Sequence, residues 1–104
     1  MEIKVNTDNH ITGSEDLNEK YSAELKRKLD RFTEYITSAD VFFADENRGK
    51  AGIDDKRCTI EFRIKNMSNE AVTHFADTLA HAFNGALDKA RSVLDTKIGK
   101  LQKR

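Results

Sequence analysis

The side chains in this sequence with the clearest capacity for chemistry are cations. Lys89, Lys97, Lys100, Lys103 and Arg104 recur near the C-terminus. At about 100° per residue, a helix places them within roughly a third of its circumference. Ammonium and guanidinium groups gathered on one face suit phosphate, and each phosphate contact releases counterions from a nucleic acid. A second set, Lys20, Arg27, Lys28 and Arg31, lines another helical arc that Glu24 interrupts. Two readings of these arcs stand: a solvated face whose lysines suit the negative end of the helix dipole, or an anion-binding surface.

Other chemistry finds little support. His10, His74 and His81 have no cysteine or carboxylate partners at recognised metal-ligand spacing, so no metal site is expected. Cys58 occupies the apolar register of an alternating segment, where it acts as a small hydrophobe. Asp54, Asp55 and Glu61 are the nearest approach to an acid–base group, but aspartates beside Lys56 and Arg57 are more simply salt-bridged or solvated. No glycine-rich phosphate loop follows a strand. The expectation is a protein that is not an enzyme, with no cofactor and no small-molecule substrate.

The chain of 104 residues fits one domain, 1–104, large enough to bury a core without disulfides or metals. Its net charge is zero, yet residues 1–55 carry 8 basic and 13 acidic side chains while residues 56–104 carry 10 and 5. A dipolar surface with one face suited to phosphate follows. The N-terminus is charged and no apolar run nears the roughly 18 residues that span a bilayer, so a soluble cytoplasmic protein is expected. A single cysteine fits a reducing compartment.

The elements that must position these residues show in the periodicities. Glu2 to Asp8 alternates as a short strand, with Ile3 and Val5 on one side. After a turn at Asn9 to Gly13, Thr12 and Glu15 have capping-box spacing. Leu17, Tyr21, Leu25, Leu29 and Phe32 give a helix to about Thr33. Ile36 to Ala44 alternates again, with Phe42 on the face opposite Ala39, Val41 and Phe43. Asp45 to Asp55 is a polar loop with two glycines. Lys56 to Lys65 is the clearest strand, one face dry and one wet, and Glu70 to Phe75 is a fourth. A long helix runs from Asp77, its expected N-cap, to the end, with Leu79, Phe83, Leu87, Ala90, Leu94, Ile98 and Leu101 on one arc. Gly85 inside it implies the close approach of another backbone. Ile60, Phe62, Leu25, Leu29, Phe83, Leu87 and Leu94 are expected in one core.

Strand, helix, three strands and long helix, with Asn84-Gly85-Ala86-Leu87-Asp88-Lys89 in the last helix and Lys28-Leu29-Asp30 in the first, resembles the ribosome hibernation promoting factors and protein Y. The resemblance covers essentially the whole chain. It implies an α+β fold like that of double-stranded-RNA-binding domains, a four-stranded sheet with two helices on one face. It also implies a partner, the small ribosomal subunit, whose decoding channel such proteins occupy through ribosomal RNA, silencing translation when growth stops. Lys28, Lys89 and Lys100 match basic positions of that pattern, and Asp88 matches the acidic residue before the first lysine of the last helix. The middle of the last helix departs from it, with Ser92, Asp95 and Thr96 among Arg91 and Lys97. The chain resembles the short form, without a C-terminal dimerisation domain, and is expected to be a monomer when free.

The RNA-contacting residues expected on these grounds are Lys20, Arg27, Lys28, Arg31, Lys89, Arg91, Lys97 and Lys100. Two antiparallel or crossed helices would bring both arcs to one side of the molecule. The acidic half then contacts ribosomal proteins or limits indiscriminate RNA binding. No aromatic pair comparable to an RNA-recognition-motif platform is evident, so sequence-specific single-strand reading is not expected. Against RNA stands the pI of about 6.8, low for such a binder, which keeps open a protein-interaction module of the same fold.

Overall fold

The alternation over Cys58 to Ile64 makes one side of a strand dry, and the chain supplies three more strands and two helices to cover it. The structure, a computed structural model, describes residues 1–7, 14–45 and 55–102. Its elements are β1 (Glu2–Thr7), α1 (Ser14–Lys28), a 3-10 turn (Asp30–Phe32), β2 (Ile36–Asp45), β3 (Lys56–Ile64), β4 (Glu70–Ala76) and α2 (Leu79–Gln102). His10, the turn at Asn9 to Gly13 with Thr12, the loop residues 46–54, Lys103 and Arg104 lie outside the described residues, as do the side chains of Glu15, Lys100 and Leu101.

The sheet order is β1-β2-β3-β4. β1 runs parallel to β2 because α1 carries the chain back between them, and β2, β3 and β4 form an antiparallel meander. Helix α1 lies over β1, and α2 lies across β3 and β4. The helix-facing side of the sheet presents Ala39, Val41, Phe43, Cys58, Ile60, Phe62 and Ile64, all buried. Leu25, Leu29, Phe83, Leu87 and Leu94 close on them from the helices, so the expected core is one cluster. This is the α+β arrangement with both helices on one face of four strands.

Local chemistry modifies the periodic reading at several places. Ile36 and Ala39 are both buried although their spacing puts them on opposite faces of a regular strand. A β-bulge reconciles them: Ile36 pairs with Ile64 and Ser38 with Arg63, so Thr37 is the extra residue and the side chains change phase. Helix α1 stops at Lys28 rather than near Thr33, and the last turn tightens to 3-10 geometry. That turn places Phe32 over Leu29, three residues back, and the Thr33 hydroxyl donates to the Asp30 carbonyl at 2.6 Å. Asn66 takes φ of 61° in the turn between β3 and β4, a conformation asparagine tolerates.

Two expectations about α2 are corrected. Its N-cap is Thr78, not Asp77: the Thr78 hydroxyl accepts the His81 N–H at 3.0 Å, and its carbonyl accepts the Ala82 N–H at 2.9 Å. Asp77 instead binds His81 Nδ1 at 2.7 Å, which holds its carboxyl below the usual range. Gly85 does admit a close neighbour, but that neighbour is the imidazole of His74 on β4 rather than a backbone. A Cβ at Gly85 would overlap the ring, whereas one at Gly99 would meet nothing within 4 Å.

The two helical glycines therefore have opposite outcomes. Gly85→Ala should destabilise by about 1–3 kcal/mol through overpacking, and Gly99→Ala should stabilise by roughly 0.5–1 kcal/mol through helix propensity. Urea-unfolding midpoints of the two variants check both signs.

Candidate nucleic-acid interface

The apolar arcs settle which way each cation points. Tyr21 of α1 meets Phe83 of α2 with ring centroids 4.7 Å apart, and Arg31, just beyond α1, pairs with Asp95 of α2. Both contacts advance together along the two helices, so α1 and α2 run in the same general direction rather than antiparallel. The sheet dictates this: β1 and β4 point the same way through the ladder, and each packs against a helix that continues the winding. Both helix C-termini consequently lie at one end of the molecule.

The last turn of α1 supplies Lys26, Arg27 and Lys28, all exposed, with Arg31 following. Arg91 is one turn from Asp95 on the flank of α2 that Arg31 touches, and it too is exposed. Lys20 sits farther back, its ammonium 5.4 Å from the centre of the Tyr21 ring. Lys100 is in the final turns of α2, its side chain outside the described residues. Lys26 is a member the sequence reading missed, although its place in a basic last turn was a legible signal.

Lys89 and Lys97 do not join this flank. Lys89 Nζ donates to the Thr73 carbonyl of β4 at 2.8 Å, and Lys97 pairs with Glu70 of β4. Both project over the β4 side of α2, away from α1. The expectation that the two arcs share one side therefore holds only for part of α2, because parallel packing turns Arg91 toward α1 and Lys89 away. Lys89 has a structural use there, since a lysine laid across an edge strand blunts its unpaired carbonyls.

Carboxylates of the same chain already neutralise several cations. Arg27 binds Glu24 at 2.9 Å, Arg31 binds Asp95 and Lys97 binds Glu70. Among the described residues, Lys20, Lys28 and Arg91 have no carboxylate partner. The pairs of Arg27 and Arg31 are solvent-facing on both partners, where an ion pair contributes about 0–1 kcal/mol, so an incoming phosphate can displace the carboxylate.

Among the described residues, the remaining polar groups do not assemble a reactive centre. Lys56 bridges Asp55 at 3.0 Å and Asp45 at 3.3 Å, and the Asp55 hydrogen bond foremost raises its pKa, so this aspartate is salt-bridged. Glu61 is exposed on the helix-free side of the sheet, and Asp54 lies outside the described residues. Among the described residues no group of three or more histidine, cysteine or acidic side chains could hold a metal, and no helix is long and apolar enough to cross a membrane.

Cys58 is fully buried in the core, and burial pushes its thiol up to about 12. A raised acid pKa stabilises the fold while the thiol stays neutral in both states. That contribution is complete below about 9 and declines as pH climbs toward 12, because only the unfolded chain ionises readily there. Native protein at pH 8 should alkylate far more slowly with iodoacetamide than urea-unfolded protein, and Cys58→Ala should lose part of the alkaline decline in stability.

Sequence and structure comparisons place this geometry. No curated protein matches the chain. The crystal structure of the Thermus thermophilus Protein Y N-terminal domain is similar at a TM-score of 0.71 and 20% identity, covering 92% of this chain and 98% of that one. The structure of a ribosomal subunit interface protein from Coxiella burnetii is similar at a TM-score of 0.65 and 15% identity, covering 100% of both. At these identities the likeness is one of fold. The sequence model of one family, described as sigma 54 modulation protein / S30EA ribosomal protein, extends over residues 3–104, and the chain belongs to that family.

Proposed function

We propose that this protein binds the small ribosomal subunit without catalysing a reaction, lies in its decoding channel through ribosomal RNA contacts, and silences translation in slow growth or stress. Family membership supports a ribosomal partner, as does the fold shared with a protein named for the ribosomal subunit interface. The observation that carries the RNA reading is the cationic end of the helix pair: Lys20, Arg27, Lys28, Arg31 and Arg91 project from elements whose apolar arcs are locked in the core. Lys89 and Lys97 stand apart from this group, on the β4 side of α2. Structured RNA is read largely by shape and backbone contacts, which such a surface makes without a base code. The protein acts in the cytoplasm, as a monomer when free.

A second reading has a specific observation behind it. Arg27, Arg31 and Lys97 are each paired within the chain, and the pI is about 6.8, so the helices also suit a protein partner without RNA. Salt separates the two. RNA-driven association falls steeply between about 50 and 200 mM salt, whereas an apolar interface barely responds.

Co-sedimentation with purified small subunits across that range should show the steep fall. Reversing Lys20, Lys28 and Arg91 to glutamate should abolish binding while leaving the fold intact, and the milder alanine triple should lower the slope of log affinity against log salt by about 2 to 3. Salt-independent sedimentation, or full binding by the reversed triple, would overturn the RNA reading.

A further inference from the structure

The helix-free face of the sheet carries the two exposed large apolar side chains found among the described residues, Phe42 at 37% and Phe75 at 45%. The register places them on either side of one residue of β3. Phe75 of β4 stands opposite Arg57 of β3, and Phe42 of β2 stands opposite Thr59, two residues along β3 from Arg57. Diagonal neighbours of this kind lie about 7–8 Å apart, within reach of an arginine and a phenyl ring. Arg57 is thus placed between the two aromatics, and Thr59 and Thr73 share a hydrogen bond of 2.9 Å in the row beside them. Among the described residues, the rows holding these side chains are Asn6-Phe42-Thr59-Thr73 and Ala44-Arg57-Phe75. Among the described residues, the acidic side chains of this face stand in the two rows beyond: Asp40 and Glu61 with Lys4, and Glu2 with Ser38 and Arg63.

We propose that Phe42, Phe75 and Arg57 form a stacking site for unpaired bases of single-stranded RNA, on the side of the sheet opposite the helices. The chemistry of the three residues selects this occupant. Phenyl rings standing on a sheet offer flat faces on which bases stack, and a guanidinium between them meets the linking phosphate or stacks itself. A second copy of the chain fits less well. Stable interfaces bury about 800 Å² per partner around an apolar centre, and here two separate rings stand among Asn6, Thr59, Thr73, Lys4 and Asp40. This site rests on the reading of the chain as an RNA-binding protein but uses none of the helix cations.

Fluorescence anisotropy with labelled short oligoadenylate tests it, using the full chain. Phe42→Leu and Phe75→Leu keep apolar volume and remove the π-face, so each should weaken binding about ten-fold, while Phe42→Tyr and Phe75→Tyr should retain it. Arg57→Gln should lower the salt slope by about 0.7, the value for one single-strand phosphate contact. Circular dichroism melts confirm that each variant is folded. The proposal is overturned if wild-type protein does not bind the oligonucleotide, if the leucine variants bind as well as wild type, or if sedimentation equilibrium shows the two rings driving self-association. Small-subunit co-sedimentation in parallel keeps the two ideas apart: subunit binding without oligoadenylate binding removes only the stacking site, and the reverse removes only the ribosomal reading.

Discussion

Three aromatic rings in mutual contact join every layer of this protein. Tyr21 of α1 lies 4.9 Å from Phe43 of β2 and 4.7 Å from Phe83 of α2, and Phe43 and Phe83 are 6.2 Å apart. Tilted pairs of this kind contribute about 0.5–1.5 kcal/mol each beyond the area they bury. Their geometric effect is larger than that figure suggests. A helix has one rotational freedom about its axis, and an inward-facing ring removes it. With Tyr21 and Phe83 inward, Lys20 lies at the rim beside Tyr21, Arg91 and Asp95 turn toward α1, and Lys89 and Lys97 turn toward β4. The placement of charge is thus a consequence of the core.

The same placement explains how a chain with no net charge can carry a cationic surface. The acidic excess falls in residues 1–55 and the basic excess in residues 56–104, yet the fold interleaves the halves, pairing Arg31 from the first with Asp95 from the second. Exposed pairs of this type stabilise little and cost little to open. A polyanion can exchange with them, while an isolated anion gains almost nothing by doing so. On the proposed RNA reading, these internal carboxylates set a threshold against weak or indiscriminate binding.

Parallel helices also concentrate dipoles. Each C-terminus carries roughly half a negative charge, and placing two such ends together would be unfavourable if the last turns were not basic. Lys26, Arg27 and Lys28 close α1, and α2 ends with Lys97 and Lys100 in its final turns. At the end of α1 the same exposed cations that complement the dipole also form the proposed surface, so the bland and the functional readings of that basic arc are compatible.

The element order, the core faces of the two helices and the first three strands, and the burial of Cys58 were legible in the sequence, because periods of two and of 3.6 report directly which side chains leave water. The positions of Lys20, Arg27, Lys28 and Arg31 on an exposed arc followed from the same periods. What those periods cannot contain is the relation between elements. Whether Arg91 or Lys89 turns toward α1 depends on helix direction, which the parallel β1–β2 pairing and the antiparallel meander set together. The bulge at Thr37 and the placement of Phe42 and Phe75 on either side of Arg57 depend on strand register, and the neighbour of Gly85 on a ring from β4. Local periodicity fixes a side chain's angle on its own element; only packing one element on another fixes what that angle faces.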